Sequence, residues 1–261
     1  MFRGLGAWWD VYDWSPSFSP GSKLGLADVD RLADAGVQVL FIQSAKANRP
    51  ELILDRPLFE QIVRRAHARG MRVVSWYLAA FLDAKVDVPR LVEPLKLGVD
   101  GIALDIESRD NVDVAARNKL LVFETWFTRF TLPDVAMAAI VLPPVVTDVI
   151  NPAFWPQFPW SQISKAYDAW MPMAYWTNRT VASGWRDGGR YTGHSIDRLR
   201  AHLGDPHAPV HAVGGIANEA TPYEVDSFVR VSQSRGVIGG SLYDDRTSTP
   251  AQYQALQPFR R

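Results

Sequence analysis

The sequence predicts a single (β/α)8 TIM barrel, an α/β fold, running as one domain over residues 1–261. Three observations carry this expectation. Eight short apolar or β-branched runs alternate strictly with eight longer amphipathic segments. The short runs are apolar almost throughout, as strands of a parallel sheet buried on both faces must be. The first strand leads into Gly6-Ala7-Trp8-Trp9-Asp10, which is bulky where a doubly wound sheet would need a glycine-rich phosphate loop. No fixed repeat beyond this alternation, no low-complexity stretch and no linker interrupts the chain.

The elements follow in order. Residues 2–9 form a first strand, and a helix over 27–35 stops at Gly36. The second strand is 37–44, followed by a helix that opens at Pro57 and closes at Gly70. Strand three is 71–79, with a helix at 88–97. Strand four is 99–107, followed by the long helix 112–130. Strand five, 135–142, ends at Pro143-Pro144, and a loop rich in proline and aromatics leads to a short helix at 161–166. Strand six is 169–176; a long polar loop carrying Trp185, Gly188 and Gly189 then precedes a helix at 195–203. Strand seven is 210–216, before a helix that Thr221-Pro222 caps and opens and that runs to Arg235. Strand eight is 237–243, and a last helix covers 250–256.

Composition narrows the function. Hydrophobic residues make up 47% and charged residues 21%, an ordinary balance for a protein with a large core. The formal net charge is +0 and arginines are scattered, so nucleic acid is not an expected partner. With no cysteine there is no disulfide, thiolate metal site or thiol nucleophile. No uninterrupted apolar run is long enough to span a membrane, and residues 1–6 have no signal-like apolar core. The chain is either cytoplasmic or, as favoured here, a domain excised from a secreted or cell-surface protein. Oligomeric state is not legible.

In this fold, chemistry collects at the C-terminal ends of the strands. The polar residues there are Asp10 and Asp13, Gln43 and Ser44, Tyr77, Asp105 and Glu107, Tyr175, Asn218 and Glu219, then Tyr243, Asp244 and Asp245. Acids and aromatics dominate. Asp105 and Glu107 are the sharpest feature: two apart on a strand, they share a face, with Cα atoms roughly 6–7 Å apart. Ile102, Leu104 and Ile106 alternate with them and should face the helices. Two acids crowded in a dry barrel mouth repel, so one should hold its proton near neutral pH and could donate it to a leaving oxygen. The bland alternative is an ion pair with a neighbouring cation, of which Arg109 is nearest in sequence.

The other candidates are less sharp. Asp10 could orient a sugar hydroxyl or another acid, while Asp13 and Asp244 also suit turns and helix caps. Tyr175 could stabilise developing charge. Ten tryptophans are an unusual number, and Trp8, Trp9 and Trp176 could form a sugar platform with Tyr243; each could equally be core. Gln43, Tyr77 and Asn218 complete the substrate-binding candidates. The five histidines show no metal-ligand spacing, so neither a metal nor another cofactor is expected. Asn178-Arg179-Thr180 matches a glycosylation sequon, a pattern common by chance.

Asp100-Gly101-Ile102-Ala103-Leu104-Asp105-Ile106-Glu107 resembles the D-G-x-D-x-D-x-E strand of family 18 glycoside hydrolases, the chitinases. Met173-Ala174-Tyr175 resembles that family's M-x-Y-D strand. The resemblance implies Glu107 as general acid, Asp105 as the residue that positions the substrate acetamido group, and Tyr175 as its assistant. Ala103 stands where the pattern has an inner aspartate, and Trp176 where it has another. Leu104-Asp105-Ile106-Glu107, Asp10 and Gly70 to Tyr77 are also similar to motifs of family 25 lysozymes.

The expected function is therefore a glycoside hydrolase acting on a polysaccharide, such as one containing N-acetylhexosamine in peptidoglycan or chitin. The alternative, motivated by Ala103 and Trp176, is a degenerate barrel that binds glycan or a protein partner without cleaving. A different barrel lyase or hydrolase on small molecules stays open, since Gly214-Gly215 could approach a phosphate.

Overall fold

The computed structural model describes residues 1–21 and 23–261. Eight parallel strands run β1 (Gly4–Trp9), β2 (Val39–Gln43), β3 (Arg72–Leu78), β4 (Gly101–Ile106), β5 (Ala136–Val141), β6 (Ala169–Pro172), β7 (His211–Ile216) and β8 (Gly239–Tyr243). They pair in the order β6-β5-β4-β3-β2-β1-β8-β7. The ring closes between β6 and β7 through the bridges Trp170–Val210 and Met173–Val213. This is the predicted (β/α)8 barrel.

The helices among the described residues are α1 (Val11–Trp14), α2 (Leu26–Asp34), α3 (Arg56–Ala68), α4 (Ala84–Val92), α5 (Val114–Thr131), α6 (Trp160–Ile163), α7 (Gly188–Leu203), α8 (Pro222–Ser234) and α9 (Pro250–Ala255). Three differences from the sequence reading have local causes. The turn α1 exists because the Asp10 carboxylate accepts from the Tyr12 amide while the Asp13 carboxylate accepts from the Asp10 amide. Helix α7 starts at Gly188, inside the expected loop, because Asp187 caps it; a Cβ at Gly188 would collide with the Glu224 carbonyl. Strand β6 ends at Pro172, and the chain then turns so that the Trp176 amide donates to the Ala174 carbonyl.

Strand alternation sorts the core into two shells. The inner shell fills the barrel with Phe2, Trp8, Val39, Phe41, Val74, Trp76, Ala103, Ala138, Ile140, Met171 and others. The outer shell, between strands and helices, holds Trp9, Tyr77, Ile102, Leu104, Ile106 and Trp176. Ile102, Leu104 and Ile106 thus face the helices as expected. In register, Trp76 lies beside Ala103, Tyr77 beside Leu104 and Leu78 beside Asp105. The small Ala103 side chain leaves room in the inner shell for the Trp76 indole.

A polar thread runs through the inner shell. The Trp8 Nε1–H donates to Ser241 Oγ at 2.7 Å, and Ser241 Oγ lies 3.1 Å from His211 Nε2. Burial lowers the His211 imidazole to about 4, so it is neutral at physiological pH. Its Nδ1 sits 3.0 Å from the Phe2 carbonyl, which can only accept. Nδ1 therefore carries the proton, and Nε2 accepts from the Ser241 hydroxyl.

Candidate active site

At the C-terminal ends of the strands lies an open cleft with a cavity of about 230 Å³. It is lined by Asp105 and Glu107 from β4, with Trp8, Asp10, Gln43, Trp76, Tyr175 and Tyr243 around them. Tyr12, Lys46, Leu78, Ile140, Met173 and Val213 complete the wall.

The pair on β4 is held in a dry setting. Asp105 is 4% exposed, and its buried Oδ1 has no hydrogen-bond partner among the described residues. Burial, then the Glu107 charge beside it, pushes the Asp105 carboxyl well above the usual carboxylate range. Burial also raises Glu107, against the opposing influence of Lys46. Buried, interacting carboxyls of this kind give up their protons in two steps that belong to the pair.

Tyr175 stands within reach of the pair's field; burial and then the charges of Glu107 and Asp105 keep its phenol protonated. Its ring lies 5.6 Å from that of Tyr243, whose hydroxyl donates to Asp10 Oδ2 at 3.0 Å. Asp10 Oδ1 accepts from the Tyr12 amide at 2.7 Å. Gln43 braces this corner: its side-chain carbonyl accepts from the Val11 amide at 3.3 Å and its backbone carbonyl from Trp14 Nε1 at 3.0 Å. Trp8 stacks on Phe41 at 4.3 Å and meets Trp76 edge-on at 6.1 Å, forming an aromatic floor.

Other sequence candidates lie elsewhere. Trp9 is fully buried in the outer shell, where its Nε1–H donates to Asp245 Oδ2 at 2.7 Å. Tyr77 donates its hydroxyl to Asp87 at 2.6 Å. Trp176 packs on Phe228 in the outer shell, and the Gly214-Gly215 pair clears space for its ring: a Cβ on either would meet it at 3.1 Å or less. Those glycines therefore make room for an indole. Asn218 borders a separate groove with Ala220, Thr247 and Gln252. None of these four offers a face to the cleft. In each of the adjacent pairs Trp8 and Trp9, Trp76 and Tyr77, and Tyr175 and Trp176 only the first member reaches the cleft; on β1 and β3 this is because neighbours on extended chain point opposite ways, and after β6 because the chain turns. Arg109, the cation nearest in sequence, is turned onto the Phe154 ring at 4.1 Å.

Asp13 and Asp244 stand behind the cleft wall. Asp13 is buried as the partner of the Asp10 amide, and Asp244 caps the turn Asp245–Thr247. Their carboxylates and that of Asp10 come within 4.8 Å of one another, close enough to share a cation. Protonation offers another relief: burial and the charges of Asp10 and Asp244 raise Asp13 to about 7.

Sequence reasoning missed Lys46, Trp76 and Tyr12. Trp76 was available from parity, since it sits beside Ala103 if Leu104 faces the helices. Lys46 lies three residues beyond β2, and only the loop's path brings it back over the cleft.

No model of a known protein family matches the sequence, and no curated protein matches it. Solved structures do. The chain is similar to the C-terminal domain of a presumed chitinase from Desulfitobacterium hafniense DCB-2, with TM-score 0.70 and 10% identity over 98% of both chains. It is similar to the spore cortex-lytic enzyme SleL of Bacillus cereus, with TM-score 0.68 and 11% identity over 99% of this chain and 75% of that one. It is similar to a class V chitinase mutant from Cycas revoluta in complex with (GlcNAc)3, with TM-score 0.63 and 12% identity over 98% of both chains. At these identities the likeness is one of fold.

Proposed function

We propose that this barrel is a glycoside hydrolase that cleaves a polysaccharide containing N-acetylhexosamine, of the peptidoglycan or chitin type. The observation that carries the reading is the pair of buried Asp105 and half-buried Glu107, both pushed above the usual carboxylate range by burial, in an aromatic-walled cleft. The fold likeness to chitinases and to a cortex-lytic enzyme supports the same substrate class. No helix among the described residues is long and apolar enough to cross a membrane, and we place the protein at the cell wall or outside the cell by its substrate.

In this mechanism Glu107 gives its proton to the glycosidic oxygen as the C–O bond breaks and the bonding pair leaves with that oxygen. Asp105 stabilises the positive charge that develops on the sugar, and on an acetamido group if one closes on the anomeric carbon. Tyr175 donates its hydroxyl to the same region. Water then adds at the anomeric carbon and returns a proton to Glu107. Asp10, held by Tyr243 and the Tyr12 amide, orients a sugar hydroxyl on the facing wall, and Trp8 and Gln43 contact the ring.

Glu107→Gln keeps the shape and removes the acid. Cleavage of peptidoglycan strands and chitin oligomers, followed by mass spectrometry of released products, should fall about 10²–10⁴-fold. Unchanged release by this variant would end the mechanism. A second reading, a barrel that binds glycan without cleaving, is favoured by Ala103 and by the outward turn of Trp176, which leave the pair without two acids of the family 18 pattern. Glycan binding by the wild type with no product after prolonged incubation would establish it instead.

A further inference from the structure

We propose that Lys46 is the positioning residue of the acid pair: its ammonium is the counter-charge, held in the same cleft, that favours ionisation of the two carboxyls. The proposal rests on the function above only for its catalytic consequence.

The geometry points to this arrangement in three ways. Among the described residues, Lys46 is the one cation lining a cleft whose other charged groups are Asp10, Asp105 and Glu107. Among the described residues it makes neither an ion pair nor a hydrogen bond with Asp105 or Glu107, and its charge opposes the rise that burial produces in both. Its ammonium is held over the rings of Tyr12 at 5.7 Å and Phe18 at 6.0 Å, a cradle that steadies a cation without neutralising it. Asp105 Oδ1, buried and bare, has no donor of its own to stabilise an ionised form, so the nearest positive charge decides that form's cost.

Other groups around the pair do not substitute for Lys46. Beyond the ends of β1 and β8 come the acids Asp10, Asp13 and Asp244; from the end of β8 and the turn after β6 come Tyr243 and Tyr175, both neutral phenols. Strands β3, β5 and β7 present Trp76 and Leu78, Ile140 and Val213, none of which titrates. Asp110 borders the neighbouring groove on the far side of Lys46. Among the described residues around the cleft, the other carboxylates oppose ionisation of the pair and Lys46 favours it.

The test is a ¹³C NMR titration of the side-chain carboxyls in wild type, Lys46→Gln and Lys46→Arg, with Asp105→Asn and Glu107→Gln providing assignments. Lys46→Gln should raise the lower macroscopic step of the pair, two protons to one, by at least tenfold in ionisation constant, and Lys46→Arg should restore most of it. A change under twofold in Lys46→Gln, with the fold intact by circular dichroism, would overturn the proposal. The same variants are then assayed on whichever glycan the wild type cleaves. There the acid limb of kcat should move upward in Lys46→Gln by the amount the titration gives. If no glycan is cleaved but the titration shifts, the counter-charge role stands and the hydrolase reading alone fails.

Discussion

Two carboxylates of this barrel are nearly equally buried and yet opposite in character. Asp245, in the outer shell, accepts from Trp9 Nε1 at 2.7 Å, from the Tyr253 hydroxyl at 2.7 Å and from both terminal nitrogens of Arg31 at 2.8 and 3.1 Å. Asp105, at the inner mouth, leaves Oδ1 bare and faces another acid. The saturated carboxylate ties β1, α2 and α9 together. A bare one beside a like charge is destabilising when ionised and is available to move protons. Glu124 refines the contrast. It too is buried with a bare Oε1, and burial followed by the charges of Asp87 and Asp83 raises it to about 9. It lies on α5, away from the cleft, so bareness becomes chemistry only where a substrate can arrive.

The largest expected effect separates activity from stability at the mouth. Glu107→Gln should lose about 10³-fold in kcat/KM, roughly 4 kcal/mol of transition-state stabilisation. Its thermal unfolding midpoint should equal or exceed the wild type's, because a desolvated carboxyl beside a second acid becomes a neutral amide. A lower midpoint would mean that Glu107 is structural.

Next comes the saturated acid. Asp245→Asn leaves Arg31 without its carboxylate and the Tyr253 hydroxyl with a poorer acceptor. Since Arg31 is half exposed and can rehydrate, the expected loss is about 2–3 kcal/mol by denaturant unfolding. On a cleavable glycan, KM should not change. A loss below about 0.5 kcal/mol would remove the distinction between the shells.

The bare acids give a pH signature. A carboxyl whose folded value lies above its unfolded one makes the folded state bind more protons, so stability is greatest below the unfolded value and is lost as pH rises through the folded one. For Glu124 that window runs from the ordinary carboxyl range to about 9. Glu124→Gln should flatten the decline in stability between pH 5 and 9 without touching activity. Asp105→Asn should flatten it as well while abolishing cleavage. Parallel curves for wild type and Glu124→Gln would show that Glu124 is ionised inside the fold.

Much of this was legible in the sequence, and the failures share a cause. The eight strands, their parallel sense and the face shared by Asp105 and Glu107 follow from apolar runs and a period of two. The same period decides between Trp8 and Trp9, yet both were candidates because an aromatic beside an acid suggests a sugar site whichever way it points. At Tyr175 and Trp176 the period alone was not enough: β6 ends at Pro172, and a turn sets which ring faces in. Lys46 was not legible, because no rule of spacing says where a loop residue three beyond a strand comes to rest.

The smallest predicted effects come from a matched pair of hydroxyls. Tyr77 donates to Asp87 in the outer shell, and Tyr243 donates to Asp10 at the mouth. Asp87 keeps the amides of Phe81 at 2.9 Å and Ala80 at 3.4 Å when the Tyr77 hydroxyl is lost, so Tyr77→Phe should cost about 1 kcal/mol of stability and leave KM alone. Asp10 borders the open cleft, so water can replace the Tyr243 hydroxyl, and Tyr243→Phe should cost less than about 0.5 kcal/mol of stability. The freed Asp10 carboxylate would lose its orientation toward substrate, and KM should rise about threefold to fivefold, about 1 kcal/mol or less in binding. If instead Tyr77→Phe changes KM and Tyr243→Phe changes stability, the parity that assigns one ring to the core and the other to the cleft is wrong, and the inner and outer shells of β3 and β8 exchange roles.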